Sequence, residues 1–490
     1  MLLRYHQKGD SGLRLTRARA VIVDVLIQSL FHYAREIAVE VLGKVRPLCV
    51  LATGGYGRGE LCPQSDIDLM FLYSKSLGGK TQESLKETMT REILYPLWDS
   101  GLKVGHASRD MKEAIIESQN DIRNKNAMLE TRFICGDRKM SERFMQKFLK
   151  HCRSHEPENY FQELQAHQKE RRLEKQSTVY LQAPDVKSGA GGLRDYQGIL
   201  WMIKVKFGNH GLDELIRRKY LSEQEAKSYS DAYSFLLRVR NELHFLSKRP
   251  VNILHLEKQP EVALGLGYGE KDIFRRVEMF MGDYYSHART ISQITGVLEQ
   301  RLVYANSGST AKLSFHKVLS AYRAEPRKSV DGFELLNNQL SSSNPQIFDE
   351  DPERILRLFR HSQRLSATLS PDLRSLVRNR LSLIDSSLIN SASANVSFRS
   401  ILQEIGNVSP TLCEMHELGV LGRFIPEFGK LNCKVQHDLY HRFTADVHIL
   451  HCITVLDEVF QGKRSDSQQY LDAIRKNEVP GLLYLILFLH

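Results

Sequence analysis

The sequence lacks the features that mark membrane, secreted and disulfide-rich proteins. Its longest uncharged apolar stretch, residues 479–489, is too short to cross a bilayer. The first residues, MLLRYHQKGD, contain no apolar signal-peptide core. The 7 cysteines lie far apart without a CxxC pair, which argues against a disulfide framework and against a cysteine zinc site. These absences predict a protein of the reducing cytoplasm with no membrane partner.

The composition is that of a folded protein with a basic surface. Hydrophobic residues make up 42% of the 490 residues and charged residues 26%, which excludes wholesale disorder. At about 150 residues per domain, the length predicts roughly three domains. Lysine and arginine outnumber aspartate and glutamate by 68 to 58, a formal net charge of +10. This surplus suits anionic partners such as nucleotides, nucleic acids or acidic proteins, and does not choose among them.

Hydrophobic periodicity predicts a small α/β head followed by a long helical body. Residues 17–43 form an amphipathic helical pattern that ends at a glycine, and residues 82–100 form a second helical pattern. Short apolar or alternating runs predict strands at residues 47–53, 66–73 and 102–108. Beyond this head almost every pattern in the sequence is helical.

A glycine pair and two aspartates lie around the start of the second predicted strand. Gly54 and Gly55 precede Asp66 and Asp68 in the segment ATGGYGRGELCPQSDIDLMFLY. Alternate residues of a strand point to the same face, so the two aspartates project side by side, about 7 Å apart. Such carboxylates repel each other, and Mg²⁺ compensates them while it also binds substrate phosphates. The glycines let backbone N–H groups approach a triphosphate closely.

The complete arrangement is more specific than any of its parts. Between the glycines and the aspartates lie Arg58 and Ser65, which are further donors for phosphate oxygens. The segment has no GK[ST], so it is not a P-loop, and no GxGxxG follows a strand. We predict metal-assisted phosphoryl or nucleotidyl transfer. The alternative is an acidic turn at the start of a strand, in which the glycines serve only the turn.

This segment resembles the nucleotidyltransferase motif of the DNA polymerase β superfamily. More narrowly, it resembles the bifunctional protein-PII uridylyltransferase/uridylyl-removing enzymes of bacterial nitrogen signalling. The resemblance continues in order along nearly the whole chain. It is carried by SGLRLTRARAVIVD, GLKVGHASRD, LETRFICGD, PDVKSGAGGLRDYQGILW, RVRNELHFLSKR, VEMFMGDYYSHAR, GVLGRFIPEF and VQHDLYHRFTADVHIL.

The resemblance implies an α+β fold, with a polymerase β-like nucleotidyltransferase head followed by all-α domains and an incomplete HD-type helical domain. We therefore expect a nucleotidyltransferase domain at 1–145 (motif 54–68), a helical uridylyltransferase-associated domain at 146–335, a helical linker region at 336–400 and the start of an HD domain at 401–490. Two small, polar stretches, residues 337–351 and 385–397, are typical of linkers.

The activity implied by the resemblance is transfer of UMP from UTP to a tyrosine of the PII signalling protein, with release of diphosphate. Asp66 and Asp68 then hold Mg²⁺, and Gly54 and Gly55 contact the triphosphate. Such sites usually contain a third carboxylate. The candidates are Glu130, in LETRFICGD, and Asp110, at the end of the third predicted strand. The alternative for either residue is a surface or capping acid.

The second strong segment, PDVKSGAGGLRDYQGILW, supplies Lys187 and Arg194 as candidate nucleotide-binding residues. Glycines before the N-terminus of a helix, predicted here to begin near Gln197, can bind an anion. The alternative is a tight interdomain turn with an Arg–Asp pair. The family has asparagine where this chain has Asp185, which adds a negative charge near the site.

The uridylyl-removing activity of the family comes from an HD-type metal hydrolase domain. Such a site needs a histidine, a later His-Asp pair and a further aspartate to bind a divalent metal. His448 and His490 take the positions of the two histidines, and the sequence ends at His490 before either carboxylate. We therefore expect this half to be incomplete and inactive, and residues 400–490 to expose an apolar face.

Two other functions remain open at the level of the sequence. One is a nucleotidyltransferase with another acceptor, such as an RNA end or a different protein. We expect no nucleic-acid partner, because the sequence has no recognisable RNA-binding module such as an RRM-type aromatic signature. The other is a non-catalytic remnant or regulatory protein that binds nucleotide or partner without turnover.

Overall fold

The computed structural model describes residues 1–43, 47–74, 79–154, 157–174, 178–208, 211–304, 328–336, 338–432, 443–464, 467–474 and 481–489. They form two compact units, Met1–Val179 with Ala183–Ser307 and Tyr180–Gln182 with Gly308–His490. The first unit therefore joins the predicted head to the helical segment that follows it. This division differs from the expected boundaries at 145, 335 and 400. In the described ranges no helix has both the length and the apolar character that a membrane span requires.

A four-stranded mixed sheet forms the centre of the first unit. Its strands are β1 (Leu48–Ala52), β2 (Ile67–Tyr73), β3 (Val104–Asp110) and β4 (Arg132–Gly136), in the order β3-β2-β1-β4. Strand β1 is antiparallel to β2 and β4, and β2 is parallel to β3. The strands predicted at 47–53 and 66–73 are confirmed, and the third begins two residues later than predicted and continues to Asp110. Strand β4, with the sequence RFICG, was not among the predicted strands.

The long helix α2 (Gly12–Leu42) packs against this sheet. It begins earlier than the predicted residue 17, because the Ser11 side chain caps it by accepting from the backbone N–H of Arg14. It ends where predicted, at Gly43, whose positive φ of 76° favours glycine. Its buried residues recur every three or four positions and include Val23, Ile27 and Phe31.

The other helices of the first unit precede, connect or follow the strands of the sheet. The predicted helix at 82–100 is confirmed as α4 (Gly79–Met89), a π-helical turn (Thr90–Leu94) and α5 (Tyr95–Asp99) in succession. The remaining helices are α1 (Leu2–Gln7), α3 (Gly54–Gly57), α6 (Met111–Asn120), α7 (Ile122–Leu129), α8 (Arg138–Ser154), α9 (Pro157–Glu174), α10 (Leu193–Phe207), α11 (Asp213–Arg217), α12 (Glu223–Ser247), a 3₁₀ turn (Leu256–Lys258), α13 (Gln259–Gly265) and α14 (Ile273–Tyr304).

The second unit is not all-α as expected, because it contains a second four-stranded sheet. Its strands are β5 (Lys328–Val330), β6 (Phe333–Leu336), β7 (Gln339–Ser341) and β8 (Thr368–Leu369), in sequential order. The helical segments are Ile347–Glu350, Arg354–Leu365, Pro371–Asn379, Leu381–Leu383 (3₁₀), Ser386–Ile389, Ala392–Leu402, Ser409–Glu417, Val420–Phe424, Pro426–Gly429, Ala445–Phe460, Ser467–Ile474 and Gly481–Leu489.

The region predicted as a linker, 336–400, belongs to the core of the second unit. Leu340, Phe348, Ile355 and Phe359 are buried in one hydrophobic cluster with residues of the later helices. Both polar stretches contain regular structure: the first contains β7 and the helix Ile347–Glu350, and in the second Asp385 and Ser391 cap short helices. Asp385, for example, caps Ser386–Ile389 by accepting from two backbone N–H groups.

The helix Gly481–Leu489 has one buried and one exposed apolar face. Tyr484 and Phe488 are buried in the core of the second unit. Four apolar side chains of the same helix are exposed: Leu482, Leu485, Ile486 and Leu489. The expected exposed apolar face of this region is therefore present in the structure.

Two glycines with positive φ allow the cost of backbone strain to be separated from the cost of a steric clash with the first sheet. A Cβ at Gly136 (φ 94°) would lie 2.4 Å from the carbonyl oxygen of Leu48, whereas one at Gly101 (φ 75°) would have no neighbour within 4 Å. We expect Gly101→Ala to lower the free energy of unfolding by about 1–2 kcal/mol through backbone strain alone. Gly136→Ala should lower it by more, because β1 must also move. Equal losses in urea unfolding would contradict this.

Candidate active site

One cavity of about 360 Å³ in the first unit collects the predicted site residues. Its lining includes Gly54, Gly55, Arg58, Ser65, Asp66, Asp68, Glu130, Lys187 and Arg194. The two motifs that are distant in the sequence therefore face the same space. Lining residues that sequence reasoning missed include Glu60, Gln168, Arg171, Gln197, Trp201 and Arg240. Glu60, Gln197, Trp201 and Arg240 lie within segments that carry the resemblance, but no local spacing marks them as cavity residues, because α9, α10 and α12 bring most of the six together only through tertiary packing.

The glycine pair begins a single helical turn at the end of β1. Thr53 is extended, and Gly54 has a φ of 57°, a conformation that side chains other than glycine rarely adopt. The turn is held to β2 because the backbone N–H of Thr53 donates to the carbonyl oxygen of Asp68 at 3.0 Å. A Cβ at Gly54 would lie 3.2 Å from Oδ2 of Asp68. The glycine therefore gives this aspartate room.

The two aspartates lie at the start of β2, where strand and cavity meet. Asp66 precedes the strand and is exposed, and Asp68 is partly buried. Gly105 of β3 is the register partner of Asp68, and a Cβ there would lie 2.9 Å from its Oδ1. Gly105 is thus a further residue that the sequence motifs did not single out.

The surroundings of Asp68 oppose its negative charge. Burial raises the pKa of Asp68, and the charges of Asp66 and Glu130 raise it further, against the lowering effect of Lys187 and Arg194. A divalent cation relieves both the burial cost and the repulsion. The donor set therefore suits a hard cation such as Mg²⁺.

The structure distinguishes the two candidates for a third carboxylate. Glu130 lines the cavity, directly after α7. Asp110 does not line this cavity, because it lies at the other end of β3, in register with Tyr73 of β2. Its side chain caps α6 in a capping box with Glu113, and it borders a separate cavity of about 590 Å³. For Asp110 the structure therefore supports the alternative of a capping acid, which the D-x-x-E spacing signals.

Arg58 joins two buried glutamates at the side of the cavity. Its Nε donates to Oε2 of Glu60 at 2.8 Å, and its Nη1 donates to Oε1 of Glu130. Burial alone would lower the pKa of Arg58, but the two carboxylates outweigh it and hold the pKa well above its ordinary value. The third nitrogen, Nη2, lies 3.6 Å from where a Cβ of Gly55 would stand. The predicted phosphate donor is therefore engaged mainly by protein.

A closed ring of contacts continues from this arginine to Arg194 on α10. Glu60 accepts from the Tyr233 hydroxyl at 2.5 Å, and that hydroxyl accepts from the Gln197 amide at 2.9 Å. Gln197 in turn accepts from Nη1 of Arg194 at 3.1 Å. On the other side, Glu130 accepts from the Trp201 indole at 2.5 Å, and Arg194 lies over the Trp201 ring. The ring fixes the position of Arg194 relative to the glycine turn.

The glycine-rich segment before α10 places two cations at the cavity. Helix α10 begins at Leu193, a few residues before the predicted position. Asp185 accepts from the backbone N–H groups of Lys187 and Ser188, so its carboxylate shapes the turn. Burial lowers the pKa of Lys187 to about 8, and the charges of Arg194, Arg240 and Arg58 add to this effect. Burial and then Arg58 lower the pKa of Arg194 to about 10.

The Arg–Asp pair in this segment is not the one expected as the alternative. Asp195 is buried and pairs with Arg171 and Arg172 of α9. It also accepts from the backbone N–H of Gly191 at 2.8 Å. Arg194 is left to face the cavity with Lys187, and an anion bound there would offset the cost of burying both cations.

Of the two histidines predicted for the hydrolase site, His448 lies among the described residues of the second unit. His448 is on the helix Ala445–Phe460, with its Nε2 at 3.8 Å from Sγ of Cys452. His490 lies outside the described residues. Across those residues, no group of three or more histidine, cysteine, aspartate or glutamate side chains is arranged to hold a metal ion.

Two family models match parts of this chain. The family model "GlnD PII-uridylyltransferase" matches residues 159–298, which contain Lys187 and Arg194, and "Uridylyltransferase GlnD third domain" matches residues 333–424. These matches confirm the resemblance seen in the sequence for the two matched segments.

Curated relatives extend the similarity beyond these two domains. The chain is 32% identical over 98% of its length to the bifunctional uridylyltransferase/uridylyl-removing enzymes of Bradyrhizobium sp. strain ORS 278 and Rhodopseudomonas palustris, and it covers 52% of each. The enzyme of the same name from Rhodospirillum rubrum is 32% identical over 99% of the chain, which covers 51% of it. The chain thus spans about half the length of the curated relatives it matches.

Replacing Asp68 should stabilise the metal-free protein. Because its pKa is raised in the fold, the contribution of Asp68 to stability is present at low pH and is lost as the pH rises through the folded pKa. We expect Asp68→Asn to raise the melting temperature at neutral pH and to reduce the further rise that Mg²⁺ gives the wild type. Asp99→Asn, at an exposed position on α5, is the control. A lower melting temperature for Asp68→Asn alone would contradict this prediction.

Anion binding at Lys187 should take up protons at alkaline pH. Its pKa of about 8 leaves it partly neutral above that pH, and a bound polyphosphate favours the charged form and raises the pKa. Calorimetry with inorganic tripolyphosphate, in buffers of different ionisation enthalpy, should show proton uptake above pH 8 and weaker binding as the pH rises. Lys187→Arg should lose much of this dependence, because arginine stays charged. An unchanged pH profile in that variant would oppose a direct role for Lys187.

Proposed function

We propose that this chain transfers UMP from UTP to a tyrosine of the PII signalling protein, with Mg²⁺ and with release of diphosphate. The observation that carries the proposal is the convergence of Asp66 and Asp68 with Lys187 and Arg194 in one cavity. A carboxylate pair facing buried cations suits a substrate made of a metal ion and a polyphosphate. The family model names PII uridylylation, and the curated relatives are named as uridylyltransferases.

The carboxylates would hold the metal. Asp66 and Asp68 are the proposed ligands, and Glu130 is the candidate for a third, since its charge already reaches Asp68. Bound Mg²⁺ supplies positive charge that neutralises the triphosphate and the developing charge on the reacting oxygens.

The rest of the cavity would hold and orient the triphosphate. Gly54 and Gly55 let the chain approach it closely, and Lys187 and Arg194 contribute fixed positive charge. Ser65 lines the same space. Arg58 acts chiefly by holding Glu60 and Glu130 in place. In the transfer, the tyrosine oxygen bonds to the α-phosphorus, the bond to diphosphate breaks, and the hydroxyl proton is released.

We also propose a domain type for the first sheet and for the region near His448. We assign the sheet with its glycine turn and DxD to a polymerase β-like nucleotidyltransferase head, as the sequence motif indicates. The start of an HD-type domain near His448 also stays a proposal. The uridylyl-removing activity in the relatives' name is not included for this chain, because His448 is the only predicted ligand of that site within the described residues.

Two rival functions differ from the proposal in what they predict for product formation. Another acceptor would give nucleotide transfer that does not need PII. A non-catalytic protein would bind UTP and yield no product. The buried, unneutralised arrangement of Asp68 favours a catalytic site over a remnant, because it is costly to keep without a metal.

The intact mass of PII after incubation with this chain, UTP and Mg²⁺ tests the proposal directly. We expect a gain of one UMP per PII subunit, and none with Asp66→Asn/Asp68→Asn. Asp110→Asn is the matched control, because asparagine also caps helices and this position lies outside the cavity; it should retain activity.

The outcomes separate the three functions. No gain in PII mass from a folded chain, with transfer to another acceptor, would replace PII as the substrate. UTP binding without any product would favour the non-catalytic protein. Loss of activity in the Asp110 variant would return that residue to the list of catalytic candidates.

A further inference from the structure

Gln168 is a buried amide on the cavity wall whose polar atoms have no partner. Its side chain is 3% exposed, and neither Nε2 nor Oε1 forms a hydrogen bond in the structure. Leaving such a group unpaired costs roughly 1–3 kcal/mol. Other buried polar residues of the lining are paired, including Asn126 with Tyr160, Glu60 with Tyr233 and Glu130 with Trp201. An unpaired amide at this place indicates a ligand that pairs with it.

The position of Gln168 is defined by helical spacing relative to the charged end of the cavity. Helix α9 lines the cavity with His167, Gln168 and Arg171, and helix α7 and the residue after it with Arg123, Asn126, Ala127 and Glu130. Arg171 contacts Ser188 and Asp195 in the glycine-rich segment, and Glu130 contacts Arg58. The uncharged side chains of Gln168 and Asn126 lie about one turn before Arg171 and Glu130. Arg123, whose side chain is 77% exposed, pairs with Asp121.

The cavity therefore has a charged part for a metal and phosphates and a neutral polar part beside it. A nucleoside triphosphate has the same division, since its triphosphate carries the charge and its nucleoside is neutral. Tyr160, which donates to Asn126 at 2.6 Å, fixes α9 against α7 in the neutral part. Gln168 lies in this neutral part.

The Gln168 amide packs against the backbone of α10 at Gly198. A Cβ at Gly198 would stand 2.0 Å from Nε2 of Gln168. Gly198 shares the face of α10 that presents Arg194, Gln197 and Trp201 to the cavity, since these residues are spaced three or four apart. The absence of a side chain at this one position lets the amide pack against the cavity-facing side of α10.

We propose that the Gln168 amide hydrogen-bonds the edge of the nucleobase and is a base-binding residue of this site. The inference rests on the proposed function for the identity of the base as uracil. Uracil presents an N–H between two carbonyl groups, and an amide offers a carbonyl to accept from the N–H and an NH₂ to donate to a carbonyl. A triphosphate without a base leaves the amide unpaired, which is how a buried polar group discriminates between ligands.

The test compares binding of UTP, ribose 5-triphosphate and inorganic tripolyphosphate, each with Mg²⁺, to the wild type and to Gln168→Leu by calorimetry. We expect UTP affinity to fall about tenfold, tripolyphosphate affinity to stay within about twofold, and the preference for UTP over ribose 5-triphosphate to shrink. Gln162→Leu is the matched control, because Gln162 is an exposed glutamine on the same helix and does not line the cavity.

A second variant displaces the amide without removing it. Gly198→Ala places a methyl group on the amide position, and alanine is a better helix former than glycine, so the helix is retained. We expect the same loss for UTP and the same retention for tripolyphosphate. This variant decides the question where Gln168→Leu does not fold.

Three results would overturn the inference. UTP and tripolyphosphate affinities that fall together would mean that Gln168 only supports the fold of the cavity. Unchanged UTP affinity would mean that the amide does not contact the ligand, and an unchanged preference for UTP over ribose 5-triphosphate would exclude a contact with the base. These binding measurements need no acceptor protein. A failure to modify PII would therefore refute the proposed function and leave this inference to be judged separately.

Discussion

The arrangement of this site depends on one guanidinium group shared by two buried carboxylates. Arg58 has a side chain 13% exposed, and its partners Glu60 and Glu130 have side chains 8% and 4% exposed. Each of these charges would be costly to bury alone, and removing one partner of a buried pair typically costs about 3–5 kcal/mol. Through Tyr233, Gln197 and Trp201 the same ion pairs hold α10 and α12 against the glycine turn.

Four charged groups of the cavity take no part in these ion pairs and are suited to a ligand. They are Asp66, Asp68, Lys187 and Arg194. The pKa values of Asp68 and Lys187 are both shifted toward the neutral form, mainly by burial. A metal ion with a polyphosphate would favour the charged form of each.

Much of the first sheet and half of the site could be predicted from the sequence, because both depend on local patterns. The apolar runs around Asp66 and Asp68 identified β1 and β2, and a glycine at residue 43 marked the end of α2. Partners that meet only in the folded chain could not be predicted. The engagement of Arg58 by Glu130 and the room that Gly105 leaves beside Asp68 follow from tertiary contacts and strand register.

The role of a polar residue depends on its position more than on the composition around it. Asp110 ends a strand as a catalytic residue does, and the glutamate three residues later identifies it as a helix cap, the alternative that the sequence left open. The polar segments around residues 340 and 390 resemble linkers, yet both contain short elements whose apolar residues enter a core. Around residue 390, Asp385 and Ser391 cap helices, a local role that composition does not distinguish from solvation.

A domain boundary at residue 145, as expected from the sequence, would divide the candidate site. A head that stopped there would contain both aspartates and Glu130, but neither Lys187 nor Arg194. It would also leave Glu130 without Trp201 and Glu60 without Tyr233. The carboxylates would then lack the positive charge that faces them across the cavity. A unit that balances the charges of the candidate site must therefore include the helical segment as far as Tyr233, and that segment belongs to the same compact unit as the sheet.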